Sequence, residues 1–333
     1  MFDNSIILLT GGTGSFGHAF VRLTLNQFNP RKIIIYSRDE MKQWGMAKLY
    51  EDDPRVVFVI GDIRDKDRLD YVMSNVDYVI HAAATKIVPL AEYNPLECVK
   101  TNINGATNLI DICIKHKVKK VIALSTDKAS NPINLYGATK LVSDKLFIAA
   151  NSYTDQSVFT KFSIVRYGNV MGSRGSVIPY FLSISESGEL TITDERMTRF
   201  MITLEEAIEL VWHAFSNMSG GEVYIKKIPS MNIVDIAKSV SESATHKIIG
   251  IRPGEKIHEQ MIGTEDAPFT YEYDSYYKIL PAIYGCYKNI EWIGDGKQVV
   301  EDFSYTSDNN LDWMEISYLK LWIKNHKKII GKF

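Results

Sequence analysis

A tyrosine and a lysine four residues apart, Tyr136 and Lys140, form a pair that can move a proton. On a helix this spacing places both side chains on one face. An ammonium group beside a phenol lowers the phenol pKa, so the tyrosinate can take a proton from a substrate hydroxyl as hydride leaves its carbon. The same spacing also arises by chance, so the neighbouring elements must show whether the two residues form a catalytic pair.

The polar run Ser125-Thr126-Asp127-Lys128 lies shortly before this pair, directly after the apolar segment Val121–Leu124. A buried strand that ends there delivers its last residues to the carboxyl edge of a sheet. Open α/β sheets bind their ligands at that edge. We therefore expect the tyrosine, the lysine and the end of this strand to belong to one ligand site.

Glycines at three-residue spacing follow the first apolar run, where a strand is expected to pass into a helix. Gly11 permits the tight turn, Gly14 lets the backbone approach a pyrophosphate, and Gly17 lets the helix pack on the strand. The helix amino terminus offers N–H groups and partial positive charge to phosphates. A purely structural glycine-rich turn is the alternative. The expected cofactor contacts are Gly11, Thr13, Gly14, Ser15, Phe16 and Gly17.

The second predicted strand ends in residues that bear on the choice of cofactor. An acid here usually accepts from the ribose 2′-hydroxyl of NAD, whereas arginine accommodates the 2′-phosphate of NADP. Ser37, Arg38 and Lys42 favour NADP, while Asp39 and Glu40 keep NAD open. We predict NADP.

Further cofactor contacts are expected after the third and fourth strands. Asp62 and Ile63 can lie near the adenine, although Asp62 can equally cap a helix over Arg64–Leu69. Lys86 can face phosphate or substrate, or be an ordinary surface lysine. Small residues that let the chain lie against a cofactor come just before it: Ala82, Ala83 and Ala84.

Short, wholly apolar runs recur along the first half of the chain. Continuous hydrophobicity is typical of strands buried on both faces, and the segments between them have helical spacing. This alternation predicts a doubly wound parallel α/β sheet of the Rossmann type. The six runs are Ile6–Leu9, Lys32–Tyr36, Val56–Ile60, Tyr78–Ile80, Val121–Leu124 and Phe162–Val165.

The alternation breaks after Tyr167, where glycines cluster and loops lengthen. One more helix of the first domain is expected over Thr203–Phe215, begun by a capping box. We predict a cofactor domain of residues 1–167 plus about 200–228. A smaller substrate-binding lobe is then formed by about 168–199 plus 229–333.

Composition restricts the class of protein. Among 333 residues, 38 Lys+Arg against 40 Asp+Glu give a net charge of −2, which argues against a nucleic-acid or anionic-membrane binder. No apolar run approaches the roughly 20 residues of a membrane span, and the first is too short for a signal peptide. His258-Glu259 lacks the second histidine of a zinc motif. We expect a cytoplasmic protein without a metal, with Cys98, Cys113 and Cys286 reduced.

Two motifs, TGGTGSFG and YGATK, resemble the extended short-chain dehydrogenase/reductase superfamily. Further segments resemble the inverting UDP-N-acetylglucosamine (UDP-GlcNAc) 4,6-dehydratases at the head of pseudaminic acid synthesis. The resemblance runs from about residue 5 to about 280 and resumes over Ser304–Trp313. Its segments are STDKASNPINLYGATK, HAAATKIVPLAEYNP, RYGNVMGSRGSVIP, MTRFMIT and IRPGEKIHE.

The resemblance implies a role for each reactive residue. Tyr136, supported by Lys140, removes the 4-hydroxyl proton while hydride moves from C4 to NADP+. Lys128 then abstracts the C5 proton, Asp127 protonates the departing 6-hydroxyl, and hydride returns to C6. Lys128 or a nearby acid protonates C5 from the opposite face, whereas related dehydratases that retain configuration carry Asp-Glu here. Thr126 either hydrogen-bonds the 4-oxygen or caps the turn.

Two conditions must hold for Asp127 and Lys128 to act in this way. Lys128 must lose its proton, but burial disfavours the ammonium while Asp127 favours it, so the sequence leaves its charge open. Neighbours on a strand point to opposite sides, so a turn must bring both to the sugar. An exposed loop pair is the alternative.

The resemblance also implies the substrate contacts. Asn169 and Arg174 approach the UDP moiety, Arg252 contacts the diphosphate, Glu255 the ribose hydroxyls, and Lys86 the substrate. Arginine suits phosphate because it binds in a bidentate manner. A buried structural salt bridge between Arg252 and Glu255 is the alternative.

The sequence thus predicts a UDP-GlcNAc 4,6-dehydratase that inverts C5 and recycles NADP internally. A UDP-sugar 4-epimerase shares the tyrosine–lysine pair but does not need Asp127 and Lys128 for water loss. A non-catalytic NADP-sensing regulator is a rival from another class, and a dehydratase that retains C5 is a third alternative. The superfamily implies a homo-oligomer, and hexamers occur among close relatives.

Overall fold

The computed structural model describes residues 1–153, 160–285 and 289–332. Six parallel strands coincide with the six predicted apolar runs, with ends that agree to within two residues. Most of their side chains are buried because helices cover both faces of the sheet. The strands are β1 (Ile6–Thr10), β2 (Lys32–Ser37), β3 (Val56–Ile60), β4 (Tyr78–His81), β5 (Lys120–Thr126) and β6 (Lys161–Tyr167).

The strand order β6-β5-β4-β1-β2-β3 is that of a doubly wound sheet. Leu8 of β1 pairs with Ile34 on one side and Val79 on the other, so the chain order reverses between β1 and β4. A crevice opens at such a switch point, outside the carboxyl ends of the strands. The predicted fold class is confirmed.

Helices connect these strands and form a layer on each face. The sheet therefore has two apolar cores, one containing Leu8, Val121 and Phe162 and the other Ile7, Ile122 and Tyr224. The helices of this part are α1 (Ser15–Gln27), α2 (Glu40–Ala47), α3 (Lys66–Val72), α4 (Val88–Tyr93), α5 (Pro95–Val99), α6 (Gly105–Lys115) and α7 (Leu135–Ala150).

The rest of the chain is less regular. Its strands are β7 (Asn169–Val170), β8 (Glu189–Ile192), β9 (Thr198–Ile202), β10 (Val223–Lys226), β11 (Ser230–Asn232), β12 (Thr245–Ile248), β13 (Gln260–Ile262), β14 (Thr270–Glu272), β15 (Tyr276–Ile279), β16 (Lys297–Gln298) and β17 (Tyr305–Thr306). Its helices are α8 (Val177–Ile184), α9 (Leu204–Asn217), α10 (Ile233–Val240), α11 (Ile290–Ile293) and α12 (Ile316–His326).

Part of this second half extends the central sheet. Strand β10 adds beside β6 in parallel, and β15, β14 and β16 continue outward as antiparallel strands. The strand–helix pattern did not predict this extension. Strands β7, β9 and β11 form a separate small sheet, while α8, α10 and α12 enclose a third core around Phe181, Leu190 and Ile236. The division into two domains stays a prediction.

Two further expectations concern the whole chain. Cys98 and Cys113 are buried free thiols, whereas Cys286 lies outside the described residues. Within the described ranges, no helix is long and apolar enough to cross a bilayer.

The predicted capping box is present at the start of α9. The Thr203 hydroxyl accepts from the Glu206 N–H at 3.2 Å, and the Glu206 carboxylate accepts from the Thr203 N–H at 3.0 Å. Two backbone donors that the helix leaves unpaired are thereby satisfied.

Removal of this cap has a measurable consequence. We expect Thr203→Ala to lower the free energy of unfolding by about 1 kcal/mol, measured by urea denaturation. Thr203→Ser keeps a hydroxyl at the same position and serves as the control. Equal unfolding midpoints for the two variants would show that the box contributes nothing.

Candidate active site

A short turn at the end of β5 brings two neighbouring reactive residues into one cleft. The strand ends at Thr126, and a 3-10 turn follows over Asp127–Ala129. This turn places the Lys128 ammonium 3.1 Å from Oδ1 of Asp127. Asp127 is only 1% exposed, so the alternative of an exposed loop pair is wrong.

Thr126 holds this turn in place. Its hydroxyl donates to Asp127 Oδ1 at 2.8 Å and accepts from the Lys128 N–H at 3.3 Å. Of the two roles left open by the sequence, the structure contains the turn cap.

A second carboxylate, not among the predicted site residues, reaches Lys128 from the loop before β13. Glu259 Oε1 lies 3.1 Å from Lys128 Nζ, and Arg199 Nε of β9 lies 3.7 Å from the same oxygen. Sequence reasoning used Glu259 only to exclude zinc. The available signal was the presence of Arg199 and Glu259 within the motifs MTRFMIT and IRPGEKIHE.

The charges of this cluster follow from burial and pairing. Burial disfavours the Lys128 ammonium, but the two carboxylates outweigh it and raise the Lys128 pKa. Burial also raises the pKa of Asp127, with the charge of Glu259 acting in the same direction. For Glu259, attraction to Lys128 and Arg199 overcomes burial, and its pKa falls below the ordinary value. Lys128 is therefore an ammonium here, and Asp127 is the more readily protonated carboxylate.

The predicted tyrosine–lysine pair lies on α7 beside this cluster. Asn134 caps the helix by accepting from the Gly137 N–H at 2.8 Å. Burial raises the pKa of Tyr136 to about 12, against the charge of Lys128 and a hydrogen bond with Thr126. Burial lowers the pKa of Lys140.

Against the effect of burial, the charge of Lys128, a residue outside α7, lowers the pKa of Tyr136, which the sequence did not predict; the support of Tyr136 by Lys140 stays a prediction. One turn further along α7, Asp144 provides the charge that acts on Lys140. Helical spacing placed both side chains of the pair on one face, but it could not show which charge from elsewhere in the chain is nearer to Tyr136.

The glycine turn after β1 has the shape of a phosphate cradle. Gly11 has φ +66°, and a Cβ there would lie 2.8 Å from Ala83; a Cβ at Gly17 would lie 1.9 Å from the Gly12 carbonyl. A Cβ at Gly14 would meet nothing nearer than 3.5 Å. Gly14, at the N-cap position of α1, makes no side-chain cap, and the amino terminus of a helix offers N–H groups and partial positive charge to a phosphate. These features fit the pyrophosphate of a dinucleotide.

The end of β2 contains the residues predicted to select the cofactor. Asp39 caps α2 by accepting from the Lys42 N–H at 3.0 Å, and it also pairs with Lys42 Nζ at 3.1 Å. Arg38 is half-exposed and lies 3.7 Å from Asp62. Ser37 accepts a hydrogen bond from Thr13 at 3.3 Å.

Asp62 does not cap the helix that follows it. Its carboxylate binds the backbone and guanidinium of Arg64, whereas Asp65 caps α3 by accepting from the Arg68 N–H. The cap interpretation of Asp62 is therefore wrong. Ile63 is buried against Gly105, so its side chain lies in the core.

The remaining predicted cofactor residues flank the glycine turn. Phe16 stacks on Phe20 along α1, with ring centroids 5.8 Å apart. The Ala82 N–H donates to the Thr10 carbonyl at 3.2 Å, so the segment Ala82–Ala84 leaves β4 beside the end of β1. Ala83 directly opposes Gly11 there.

Of the predicted substrate residues, Lys86 lies near the Asp127–Lys128 cluster, and the loop of Arg174 lies against the glycine turn. The Lys128 ammonium, together with burial, lowers the Lys86 pKa, which places Lys86 near the cluster. Asn169 Oδ1 is buried and, within the described residues, has no hydrogen-bond partner. The Arg174 N–H donates to Ser15 at 3.2 Å, so its loop contacts the glycine turn.

A cavity of about 490 Å³ lies between α8, β8 and the loop before β13. Arg252 lines it together with Tyr180 and Thr191. Arg252 Nε donates to Glu255 Oε1 at 2.8 Å, so the two residues form a salt bridge. It is not the buried bridge of the alternative interpretation, because Arg252 is more than half exposed, and its position on the cavity leaves it accessible to a ligand.

A doubly wound sheet, a glycine turn at its switch point and a tyrosine–lysine pair beside a buried acid–base cluster define an extended short-chain dehydrogenase/reductase. The chain belongs to the family described as polysaccharide biosynthesis protein, which matches residues 7–281, and within it to the inverting UDP-GlcNAc 4,6-dehydratases.

The chain is similar to proteins named for two different reactions. The chain is 54% identical to the UDP-N-acetylglucosamine 4,6-dehydratase (inverting) of Campylobacter jejuni, covering 98% of this chain and 99% of the relative. It is 42% identical to the UDP-glucose 4-epimerase of Rickettsia akari, covering 84% of each chain. The structure of Pen from Bacillus thuringiensis superposes with TM-score 0.89 at 36% identity, covering 98% and 99%. The family and the enzyme class predicted from the motifs are confirmed.

Proposed function

We propose that this protein removes water from UDP-GlcNAc across C5 and C6 and inverts C5, giving UDP-2-acetamido-2,6-dideoxy-β-L-arabino-hex-4-ulose. The observation that carries the proposal is the ion pair at the end of β5, in which the buried Asp127 carboxylate lies 3.1 Å from the partly exposed Lys128 ammonium. A 4-epimerase needs a base for the 4-hydroxyl, but it does not need a second acid and base for C5 and C6. The C. jejuni relative named for this reaction supports the same substrate.

A single proton transfer prepares the pair for elimination. In the resting cluster Lys128 is an ammonium and Asp127 a carboxylate. Movement of one proton from Lys128 Nζ to Asp127 Oδ1 gives an amine and a carboxylic acid, with no change in total charge. Burial raises the pKa of Asp127, which favours this transfer, whereas the two carboxylates raise the pKa of Lys128, which opposes it.

Elimination then uses both groups together. Once C4 is a ketone, the C5 proton is acidic, and the Lys128 amine accepts it. Asp127 gives its proton to the 6-oxygen, the C6–O bond breaks, and water leaves. Lys128 is again an ammonium and Asp127 a carboxylate, so the pair regains its initial charges. Reduction at C6 and proton return to the opposite face of C5 complete the inversion.

Tyr136 acts in the first step of the reaction, where it takes the proton of the 4-hydroxyl. The bound cofactor supplies the hydride acceptor for C4 and later the hydride donor for C6. Burial raises the pKa of Tyr136 to about 12 although the Lys128 charge acts in the opposite direction and favours the phenolate. Lys140 is proposed to position the cofactor beside Tyr136. Arg174 and Arg252 are proposed to bind the diphosphate, Asn169 the UDP moiety, Glu255 a ribose hydroxyl, and Lys86 the sugar.

NADP is the proposed cofactor because the acid that an NAD site requires is already engaged. Asp39 is the cap of α2 and pairs with Lys42, whereas the half-exposed Arg38 stands at the same strand end. Asp62, Ile63 and the segment Ala82–Ala84 are proposed to line the rest of this site.

We expect Arg38→Ala to weaken NADP binding by about tenfold to a hundredfold, the loss of one charge-assisted contact. Binding of NAD should change little, since NAD lacks the 2′-phosphate. Titration calorimetry with both cofactors measures the difference, and Arg31→Ala, at a surface position before β2, is the control. Equal losses for NADP and NAD would contradict the proposal.

Three further statements extend the proposal to the cell. The product is proposed to enter pseudaminic acid or a related nonulosonate or 6-deoxy sugar, since its 6-deoxy-4-keto group is a substrate for further modification. The enzyme is proposed to be a cytoplasmic homo-oligomer, and its partner is the nucleotide sugar rather than nucleic acid or membrane.

Proton NMR of the purified protein with UDP-GlcNAc and NADP+ in D2O tests the function. An L-arabino 6-deoxy-4-keto product with deuterium at C5 is expected. A D-xylo product formed first would contradict inversion, and UDP-GalNAc alone would establish the epimerase. Tight NADP binding with no turnover would favour the sensing regulator.

A further inference from the structure

Glu259 is a buried carboxylate in direct contact with the proposed base, although no step of the proposed reaction uses it. It is 2% exposed, and its Oε1 lies 3.1 Å from Lys128 Nζ. Asp127 Oδ1 lies at the same distance, so the ammonium is held between two carboxylates. Each carboxylate has a second buried oxygen that lacks a hydrogen-bond partner within the described part of the chain.

The backbone of Glu259 is fixed independently of Lys128. Its N–H donates to the Ser307 hydroxyl at 2.9 Å, and its carbonyl accepts from the Ser307 N–H at 2.8 Å. The carboxylate therefore approaches the cluster from a rigid segment opposite the end of β5.

We infer that Glu259 is a positioning residue: it holds the Lys128 ammonium against Asp127 and keeps one transferable proton on the pair until the sugar binds. The inference rests on the proposed function, because that proton is the one Asp127 passes to the 6-oxygen. Without it, the amine is present but no acid assists the loss of water.

Electrostatics explain how Glu259 does this. Its negative charge raises the pKa of both Asp127 and Lys128. Arg199 acts in the opposite direction on Lys128, and Lys256 lies close enough to both carboxylates to affect them. Charged or titratable side chains facing Lys128 are Asp127, Tyr136, Glu259, Arg199, Lys256 and Lys86.

Competitive acetylation of the sugar-free protein, with NADP bound, tests the inference. Only the free amine reacts, so the yield at Lys128 against pH, read by mass spectrometry, follows its deprotonation. In Glu259→Gln the midpoint should fall by roughly 1 to 3 pH units, the effect of one charge at this distance. The basic limb of kcat/KM for UDP-GlcNAc should move to lower pH in parallel.

Two further variants separate charge from shape. Glu259→Asp keeps the charge but shortens the side chain, so its midpoint should stay nearer to wild type than that of the isosteric glutamine; it also replaces glutamine if that variant does not fold. Glu222→Gln changes another buried carboxylate, bonded to Ser163 at 2.6 Å, and should leave the Lys128 midpoint unchanged.

An unchanged midpoint in Glu259→Gln, or equal shifts in Glu222→Gln, would overturn the inference. The inference would also be overturned if the Lys128 midpoint in Glu259→Asp lay farther from the wild-type value than the midpoint in Glu259→Gln. These results are independent of the function. If the wild-type protein made no product but the Lys128 midpoint fell in Glu259→Gln, the dehydratase function alone would be refuted. If the wild-type protein made product but the midpoint did not fall in Glu259→Gln, the role of Glu259 would be refuted.

Discussion

Replacing Lys128 with methionine should abolish deuterium entry at C5 and lower kcat for product formation by about 10²- to 10⁴-fold. The reason is that the variant lacks the base that accepts the C5 proton, and general acid–base catalysis contributes on this scale. NMR in D2O measures both quantities. Oxidation at C4 uses Tyr136, whose phenolate the Lys128 charge favours, so reduced cofactor should still form on addition of UDP-GlcNAc, more slowly than in wild type, and accumulate.

Lys120→Met is the matched control for this variant. Lys120 is half-buried and lies at the opposite end of β5, where it donates to the Phe215 carbonyl. The Lys120→Met variant should retain deuterium exchange at C5 and product formation. Since methionine at 128 leaves Asp127 and Glu259 without their cation, the double variant Lys128→Met, Glu259→Gln removes one excess charge and tests the chemistry if the single variant is unstable. C5 exchange at the wild-type rate in a folded variant would rule out Lys128 as the base.

Tyr136→Phe should lower kcat by about 10²- to 10⁴-fold and prevent the first oxidation. Phenylalanine keeps the ring but cannot accept the 4-hydroxyl proton, so hydride cannot leave C4. In contrast to the Lys128 variant, no reduced cofactor should form in a single turnover, followed by its absorbance. The two variants therefore stop the reaction at different steps.

Tyr224→Phe provides the matched control. Tyr224 is fully buried in β10, and its hydroxyl has no hydrogen-bond partner within the described residues, so its loss should cost little stability. This variant should turn over like wild type. Accumulation of reduced cofactor in Tyr136→Phe would show that another group removes the 4-hydroxyl proton.

The turn at the end of β5 brings the proposed acid and the proposed base of the elimination into one cleft. A strand alone would separate Asp127 and Lys128 by pointing them to opposite sides. The 3-10 turn that begins at Asp127 removes this separation and places both in the cleft with Tyr136. Transfer of a proton within the pair then creates acid and base from two groups that attract each other at rest.

Much of this arrangement was predictable from local sequence. The six strands of the parallel sheet follow from continuous apolar runs, α9 from its capping box, and the glycine turn from its spacing. Each signal lies within a short segment because it reflects backbone geometry or the burial of one element. The outer strands β14 and β15 were not predicted, because their runs are short and lie in an irregular part of the chain.

The sequence by itself determined which reactive residue types are present and which sheet edge they occupy. Only the tertiary structure decided their charges. Glu259 and Arg199 reach Lys128 from distant segments, and the charge of Lys128 acts on Tyr136 from outside α7. Asp62 binds Arg64 and Arg38 instead of capping a helix. Electrostatic interaction depends on distance and burial in space, and neither quantity can be read from the spacing of residues along a chain.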